Sequence, residues 1–474
     1  MSAAPTIATS TKLGFTSLEK EVDNDRLEVS GQLPSWLSGS LLRTGPARFE
    51  VGGRSLRHWF DGLAMLHRFT VGDGEVSYGC RPLESKALAA AREHGRIEYA
   101  EFATDPCRSL FKRFQTLFAP KISDNANVNI SRLGERFVAM TETPLPVQFD
   151  RRTLRAAGVE PYRAPGELST AHPHLDRPSG GMLNYAAKLG PTSKYRFFRL
   201  APDAGTPELI SDIAVKQPAY MHSFGLTERW LVLMEFPFVV NPLALALSGK
   251  PYIENYRWKP ELGTKMTLVD RNTGEAAHRF QTDAGFAFHH INAYEQDREV
   301  VVDVCEYEDP GVIRDLYLDR LRADASIAPA ALVRYRLRPG APEARREVLA
   351  DTDIELPRIN YGRCNERPYS YVWGNAHGRG GWLERIVKVG VSDGTTASWS
   401  EDGCYPGEPV FVARPGAEGE DDGVLLSVVL DAAAERSFLL VLDASDLSEL
   451  ARAQVPHHIP FSFHGMFSRH AVEG

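Results

Sequence analysis

Short apolar runs separated by turn residues dominate the chain. Stretches such as RFVAMTETPLPVQFD, RWLVLMEFPFVV, REVVVDVCEYED, ALVRYRLRPG, RIVKVGVSDG and VLLSVVLD are bounded by Gly, Pro, Asp or Asn, which predicts β-strands. Several share one ending, an apolar strand running into Asp or Gly and a turn: TLVDRNTG, KVGVSDG and LVLDASDL. Strands at this spacing build a sandwich, a barrel or a propeller. Recurrence of one strand–turn–strand unit along the whole length favours a β-propeller, read as a single all-β domain over residues 1–474. The repeats are too weak to count blades. Helical periodicity is confined to 85–101 (SKALAAAREHGRIEYAE), 105–118 (DPCRSLFKRFQTLF) and 311–324 (GVIRDLYLDRLRAD), which predicts insertions on one face rather than a second domain. Polar residues 1–12 predict a flexible end, and GAEGEDDG at 416–423 an acidic turn.

A content of 43% hydrophobic and 24% charged residues supplies a large core and argues against disorder. The net charge of −8 carries no Lys/Arg block that would neutralise a run of phosphates, so nucleic acid is excluded as the expected partner. Cys80, Cys107, Cys305, Cys364 and Cys404 are odd in number, with no CxxC pair, which speaks against both a disulfide framework and a thiolate zinc site. The opening MSAAPTIATSTKLGFTSLEKEV has no apolar leader core, and no later segment is apolar for about 18 residues. The expectation is a cytoplasmic protein that does not span a membrane.

A histidine is usually a hydrogen-bonded core or surface group. Four of the 14 stand at the ends of apolar or aromatic runs: His172 in TAHPHLD, His222 in YMHSFGLTERW, His289 in FAFHHINAYE and His464 in IPFSFHGMF. The innermost strands of a propeller converge on its axis, so such strands can bring several imidazoles to one point. On a strand successive side chains point to opposite faces, and at most one of His289 and His290 can face that point. Four neutral imidazoles suit Fe(II), Zn(II) or Cu(II). Glu142 in AMTETPLP, Glu355 in DIELPRINY and Glu408 in YPGEPVFV sit among apolar residues, where an unpaired carboxylate is costly. A metal-bound histidine commonly donates its second N–H to such a group.

The set HWFDGLAMLHRF, SDNANVNI, TETP, TAHPH, YMHSFGLTERWLVLME, FHHINAYE, INYGR, PYSYVWG, YPGEPVFV, EDDGVLLSVVLD and FSFHGMF resembles the carotenoid cleavage oxygenase family, over residues 15–470. The resemblance implies a seven-bladed β-propeller with a helical and loop cap over its top face, and one non-haem Fe(II) per chain on four histidines. Carried over position by position, the ligands are His172, His222, His289 and His464. Family members without the doubled histidine place the ligand directly after the aromatic residue, which favours His289 and leaves His290 to packing. His174, His457 and His458 fall outside the ligand set by the same comparison. Glu142, Glu355 and Glu408 match carboxylates that support three of the four histidines, with none for His172. Thr141 matches a position whose methyl group lies against the iron's open coordination position.

The activity so implied is a dioxygenase that takes O₂ as cosubstrate and splits a carbon–carbon double bond of an apolar polyene into two carbonyl products. The closest likeness is to the animal-type β-carotene oxygenases and the retinal pigment epithelium isomerohydrolase, which points to central (15,15′) cleavage of a carotenoid or apocarotenoid, giving retinal. A stilbenoid-cleaving enzyme is an alternative, weakened because Thr141 stands where such relatives tend to carry a lysine. An iron-dependent retinyl ester isomerohydrolase is another, and a metal-free protein-binding propeller would leave the histidines and glutamates without purpose. The apolar stretches 110–118 and 236–247 fit either core packing or a membrane-facing patch at a tunnel mouth. In the second case Lys112 and Arg113 would reach head groups in a peripheral membrane contact.

Overall fold

Residues 10–105 and 122–469 are described in a computed structural model. Seven antiparallel sheets of four to six strands follow one another along the chain and form the blades of a β-propeller. Blade 1 is built on strands within 39–82, blade 2 within 129–159, blade 3 within 168–215, blade 4 within 225–282, blade 5 within 286–353, blade 6 within 355–399 and blade 7 within 404–454. Inner strands of neighbouring blades touch, as do Gly225–Leu226 with Phe286–Gln296, and Phe286–Gln296 with Glu355–Arg358.

Both ends of the described chain close the ring. Gly465–Ser468 pairs with Gly39–Arg48 on the inner side of blade 1, while Val22–Arg26 adds the outermost strand of the same blade. Glu28–Gly31 then crosses to pair with Glu449–Gln454 at the rim of blade 7. Pairing segments far apart in sequence ties the first blade to the last and leaves only the short, protected edges of a propeller.

The recurring strand–Asp–turn form has a physical basis. Asp150, Asp270, Asp393 and Asp443 each accept backbone N–H bonds from residues two or three further on, in the hairpin between the last two strands of blades 2, 4, 6 and 7. A short carboxylate side chain that closes a turn on itself is what makes Asp recur there. The acidic turn is likewise structural: Glu420 accepts from the Ser370 and Tyr371 N–H groups, and Asp421 meets Lys388 Nζ at 2.6 Å, which ties blade 7 to blade 6. Between these blades Trp373, Leu425, Phe438 and Leu440 form a buried cluster, with Trp373 stacked on Phe411 at 4.7 Å.

The helices are shorter than the pattern predicts. Lys86–His94 is capped by Ser85 and ends at Gly95, whose φ of 60° is left-handed backbone that glycine adopts without a Cβ clash. The stretch 311–324 forms two pieces, Gly311–Asp315 and Leu318–Leu321, because the chain turns extended at Tyr317. The second insertion meets the segment 57–59, where Trp59 N–H bonds the Leu316 carbonyl, and Arg57 of that segment also pairs with Glu254 at 2.7 Å. The predicted helix at 105–118 falls almost wholly outside the described residues, as do residues 1–9. Residues 10–12 are not free: Thr11 N–H and Thr11 Oγ1 bond Asp324 at 3.1 and 3.0 Å at the start of the 3-10 turn Thr11–Phe15. Among the described residues no helix is long and apolar enough to cross a membrane.

Candidate metal centre

The blades deliver one polar residue each to a common point. His464 directly precedes the inner strand of blade 1, His172 lies between the two short inner strands of blade 3, His222 leads into blade 4, and His289 is within the inner strand of blade 5. Glu142 follows the strand Arg136–Met140 of blade 2, Glu355 opens blade 6, and Glu408 sits between the inner strands of blade 7. One ligand atom from each of the four histidines lies within 4.8 Å of the other three. His172 Nε2 is 3.0 Å from His222 Nε2, and His289 Nε2 is 3.1 Å from His464 Nε2.

The rear face of the rings fixes their chemistry. His222 Nδ1 is 2.6 Å from Glu142 Oε1, His289 Nδ1 is 2.5 Å from Glu355 Oε2, and His464 Nδ1 is 2.6 Å from Glu408 Oε1. An ionised carboxylate only accepts, so each Nδ1 carries the proton and each Nε2 presents a bare lone pair. Two such lone pairs facing each other at 3.1 Å repel unless a cation lies between them. Burial holds three of the rings neutral: it pushes His172 and His222 below the ordinary imidazole value and His464 down to about 4, against the pull of Glu408. Four neutral nitrogen donors facing inward fit a divalent first-row metal ion.

Two of the carboxylates are held ionised in different ways. Burial alone would raise Glu355, but His289 and the Leu356 N–H outweigh it and keep the group below the usual carboxylate range. Burial would likewise raise Glu408, yet Arg358, His464 and Arg43 together hold it far below that range. Arg358 Nε lies 2.8 Å from Glu408 Oε1, and the fully buried Arg43 reaches Oε2 at 3.5 Å. Glu142 has no such cation among its described partners, and accepts instead from Tyr220 Oη at 2.6 Å. Three negative and two positive side chains thus surround the four rings and leave one negative charge to meet a divalent cation.

One side of the cluster is aromatic. Phe60 lies 6.4 Å from the His222 ring, Phe288 5.2 Å from it, and Phe60 packs on Phe102, Phe288 and Phe463 at 5.1, 5.9 and 5.0 Å. The HWFDG loop that carries Phe60 is pinned by the SDNANVNI segment. Asn127 Nδ2 donates to the Phe60 and Gly62 carbonyls at 2.8 Å each, and Asn125 Nδ2 to the Gly62 carbonyl at 3.0 Å. The two motifs are therefore one device that fixes an apolar wall beside the histidines.

All seven expected histidines and glutamates come together here. His290 turns away, as strand alternation requires, and bonds Ser223 Oγ at 2.8 Å. His174 bonds Tyr361 Oη and the Phe224 carbonyl, while His457 and His458 bond backbone carbonyls, so none of the three joins the cluster. His172 has no carboxylate on its ring among the described hydrogen bonds. Thr141 is partly buried, directly before Glu142. The sequence does not flag Arg43, Arg358, Tyr220 or Thr170. The arginines act across hundreds or tens of residues and leave no local trace. Tyr220 and Thr170 each stand two residues before a cluster histidine, the spacing that shares one face of an extended chain.

A seven-bladed propeller with four converging imidazoles, three of them backed by carboxylates, has the donor set of a non-haem metal protein. Residues 15–469 match the family model of the retinal pigment epithelial membrane protein, and the chain belongs to that family of carotenoid oxygenases. It is 36% identical to a carotenoid isomerooxygenase of Galleria mellonella, with 95% of each chain covered. It is 32% identical to the β,β-carotene 15,15′-dioxygenase of Homo sapiens, covering 95% of this chain and 93% of that one. Among solved structures, a variant of the Synechocystis apocarotenoid oxygenase superposes with a TM-score of 0.85 at 28% identity, over 96% of this chain and 98% of the other. The cobalt-substituted Synechocystis enzyme matches with the same score, identity and coverage.

Proposed function

We propose that this protein is a non-haem iron dioxygenase that splits a carbon–carbon double bond of a carotenoid or apocarotenoid, at the central position, giving retinal. One Fe(II) per chain is held by His172, His222, His289 and His464, with O₂ as cosubstrate, and the chain works as one propeller domain. The observation that carries the reading is the lone-pair contact between the unprotonated Nε2 atoms of His289 and His464, within a four-histidine cluster set against an aromatic wall. Bound there, Fe(II) supplies the activation of O₂ towards an electron-rich double bond.

The chain's own residues do the rest. Glu142, Glu355 and Glu408 keep the proton on each Nδ1 and so keep Nε2 available, while their charge offsets the cation. Phe60, Phe288 and Phe463 offer apolar contact to a polyene and exclude water from the reacting face. Thr141, directly before Glu142, would offer the bound metal's surroundings a methyl group and no ammonium to engage a stilbene phenol. Central cleavage agrees with the name of the Homo sapiens relative, a β,β-carotene 15,15′-dioxygenase.

Peripheral contact with a membrane, from a cytoplasmic position, completes the reading, since carotenoids reside in bilayers. The stretch 236–247 divides in two. Phe236, Phe238, Val239 and Val240 are buried, whereas the short helix Pro242–Leu247 buries none of its residues and exposes Leu243 and Leu247 by 67% and 60%. Only the second half is available to a bilayer. The other stretch, 110–118, lies outside the described residues.

Aerobic incubation with β-carotene, an apocarotenal, resveratrol and a retinyl ester, with products identified by mass, tests the substrate class. Retinal from a polyene is the expected result. Cleavage of resveratrol alone would move the protein to the stilbenoid enzymes, and conversion of a retinyl ester without any aldehyde would make it an isomerohydrolase.

A further inference from the structure

Among the described residues, His172 differs from the other three cluster histidines in having no carboxylate behind it. Something else must set where its ring points, because a histidine on a loop between two short strands has free side-chain torsions. Thr170 is fully buried, two residues before His172. Its hydroxyl accepts the His172 backbone N–H at 2.8 Å and donates its one proton to the His222 carbonyl. A single oxygen therefore couples the backbones of the two histidines whose Nε2 atoms lie 3.0 Å apart, and it joins blade 3 to blade 4. The same segment is braced from two other sides. Asn184 Nδ2 donates to the Thr170 carbonyl at 3.0 Å, and Asn129 Nδ2, from blade 2, to the Ala171 carbonyl at 2.8 Å.

We infer that Thr170 is a positioning residue of the metal centre: its hydroxyl sets His172 against His222 through the backbone, in place of the carboxylate that orients each of the other rings. The inference rests on the proposal that the four histidines hold the metal. Valine matches threonine in shape and lacks the hydroxyl, so Thr170→Val leaves the His172 N–H and the His222 carbonyl without their link, while Thr170→Ser keeps it. Thr227 supplies a control: it is equally buried and makes the same kind of turn bond, to the Trp230 N–H at 2.8 Å, away from the cluster.

The test uses the full chain loaded with Fe(II) and, separately, with Co(II) as a spectroscopic probe. Metal affinity is measured by competition with a chelator, the Co(II) ligand-field spectrum is recorded, and melting temperature is followed for each variant. Thr170→Val is expected to bind metal roughly 10–100-fold more weakly and to shift the Co(II) bands, the range typical when a ligand loses its support. Thr170→Ser should restore both, and Thr227→Val should melt lower without altering either. Should Thr170→Val fail to fold, Thr170→Ala removes the same hydroxyl with less steric demand. Metal bound by the wild type and held equally, with an unchanged spectrum, by the valine or alanine variant overturns the inference alone. A wild type that binds no more metal than His289→Ala overturns the metal reading and the inference with it.

Discussion

His289 and His464 meet through their Nε2 atoms at 3.1 Å while their Nδ1 atoms are bonded to Glu355 and Glu408. Neither ring has a proton to share at the contact. The arrangement is stable when a cation accepts both lone pairs, and it explains why these rings sit so close although they come from blades 5 and 1.

Removal of one member of that pair separates ligand from neighbour. His289→Ala should lose most bound iron, whereas His290→Ala, whose ring faces Ser223 instead, should keep about one iron per chain. Metal analysis of the purified variants checks this. Full iron in His289→Ala would refute the ligand assignment.

The carboxylates act through charge and the Nδ1 proton, so Glu→Gln at 142, 355 or 408 should weaken iron binding or activity by roughly 10–100-fold with the fold intact. Glu408→Gln carries a further penalty. It leaves Arg358 and the buried Arg43 without their anion, so this variant alone should also be clearly less stable to denaturant. Wild-type iron affinity in all three would mean that the carboxylates do not support the rings.

Leu243 and Leu247 offer the exposed apolar contact on the helix Pro242–Leu247. Replacing both by serine removes apolar area worth about 1.5–3 kcal/mol per leucine when fully buried, so sedimentation with phospholipid vesicles should fall by at least roughly 10-fold. Unchanged sedimentation would place the membrane contact elsewhere or nowhere.

His58 fixes the loop that presents Phe60. Its Nε2 donates to the Ile313 carbonyl at 2.8 Å and its Nδ1 accepts the Phe60 N–H at 3.1 Å, while burial lowers it to about 3. The folded state therefore binds fewer protons than the unfolded state between about pH 3 and the unfolded value of about 6.5. The resulting stability is present above that window and is lost as pH falls through it. His58→Asn retains an acceptor for the cap and cannot titrate. Its urea-derived stability in metal-free protein should fall less steeply on acidification, by up to about 1.4 kcal/mol per pH unit near pH 5. Equal slopes would show that His58 is not buried neutral.

Much of the fold was legible because its signals are local. Asp at the strand–turn junctions of TLVDRNTG and LVLDASDL makes its bonds within three residues, and strand alternation separates His289 from His290. The ligand set was legible through resemblance, since nothing local says that residues 172 and 464 meet. What could not be read is long-range pairing: Glu142 finds His222 80 positions on, and Arg43 finds Glu408 across 365. The helix at 311–324 was overestimated because periodicity does not register the extended turn at Tyr317 that lets the chain bond Arg57 and Trp59 of the cap. In the apolar stretch 236–247 hydrophobicity is continuous across a boundary between core and surface, so the pattern alone does not divide it.

The central claim is that O₂ is split across a carbon–carbon double bond at this centre. Short incubation of the iron-loaded protein with an apocarotenoid under ¹⁸O₂ tests it most directly, with exchange of aldehyde oxygens into water measured in parallel. One labelled oxygen atom in each of the two carbonyl products is the predicted result. Label in only one product after correction for exchange, or products carrying water oxygen alone, would contradict a dioxygenase.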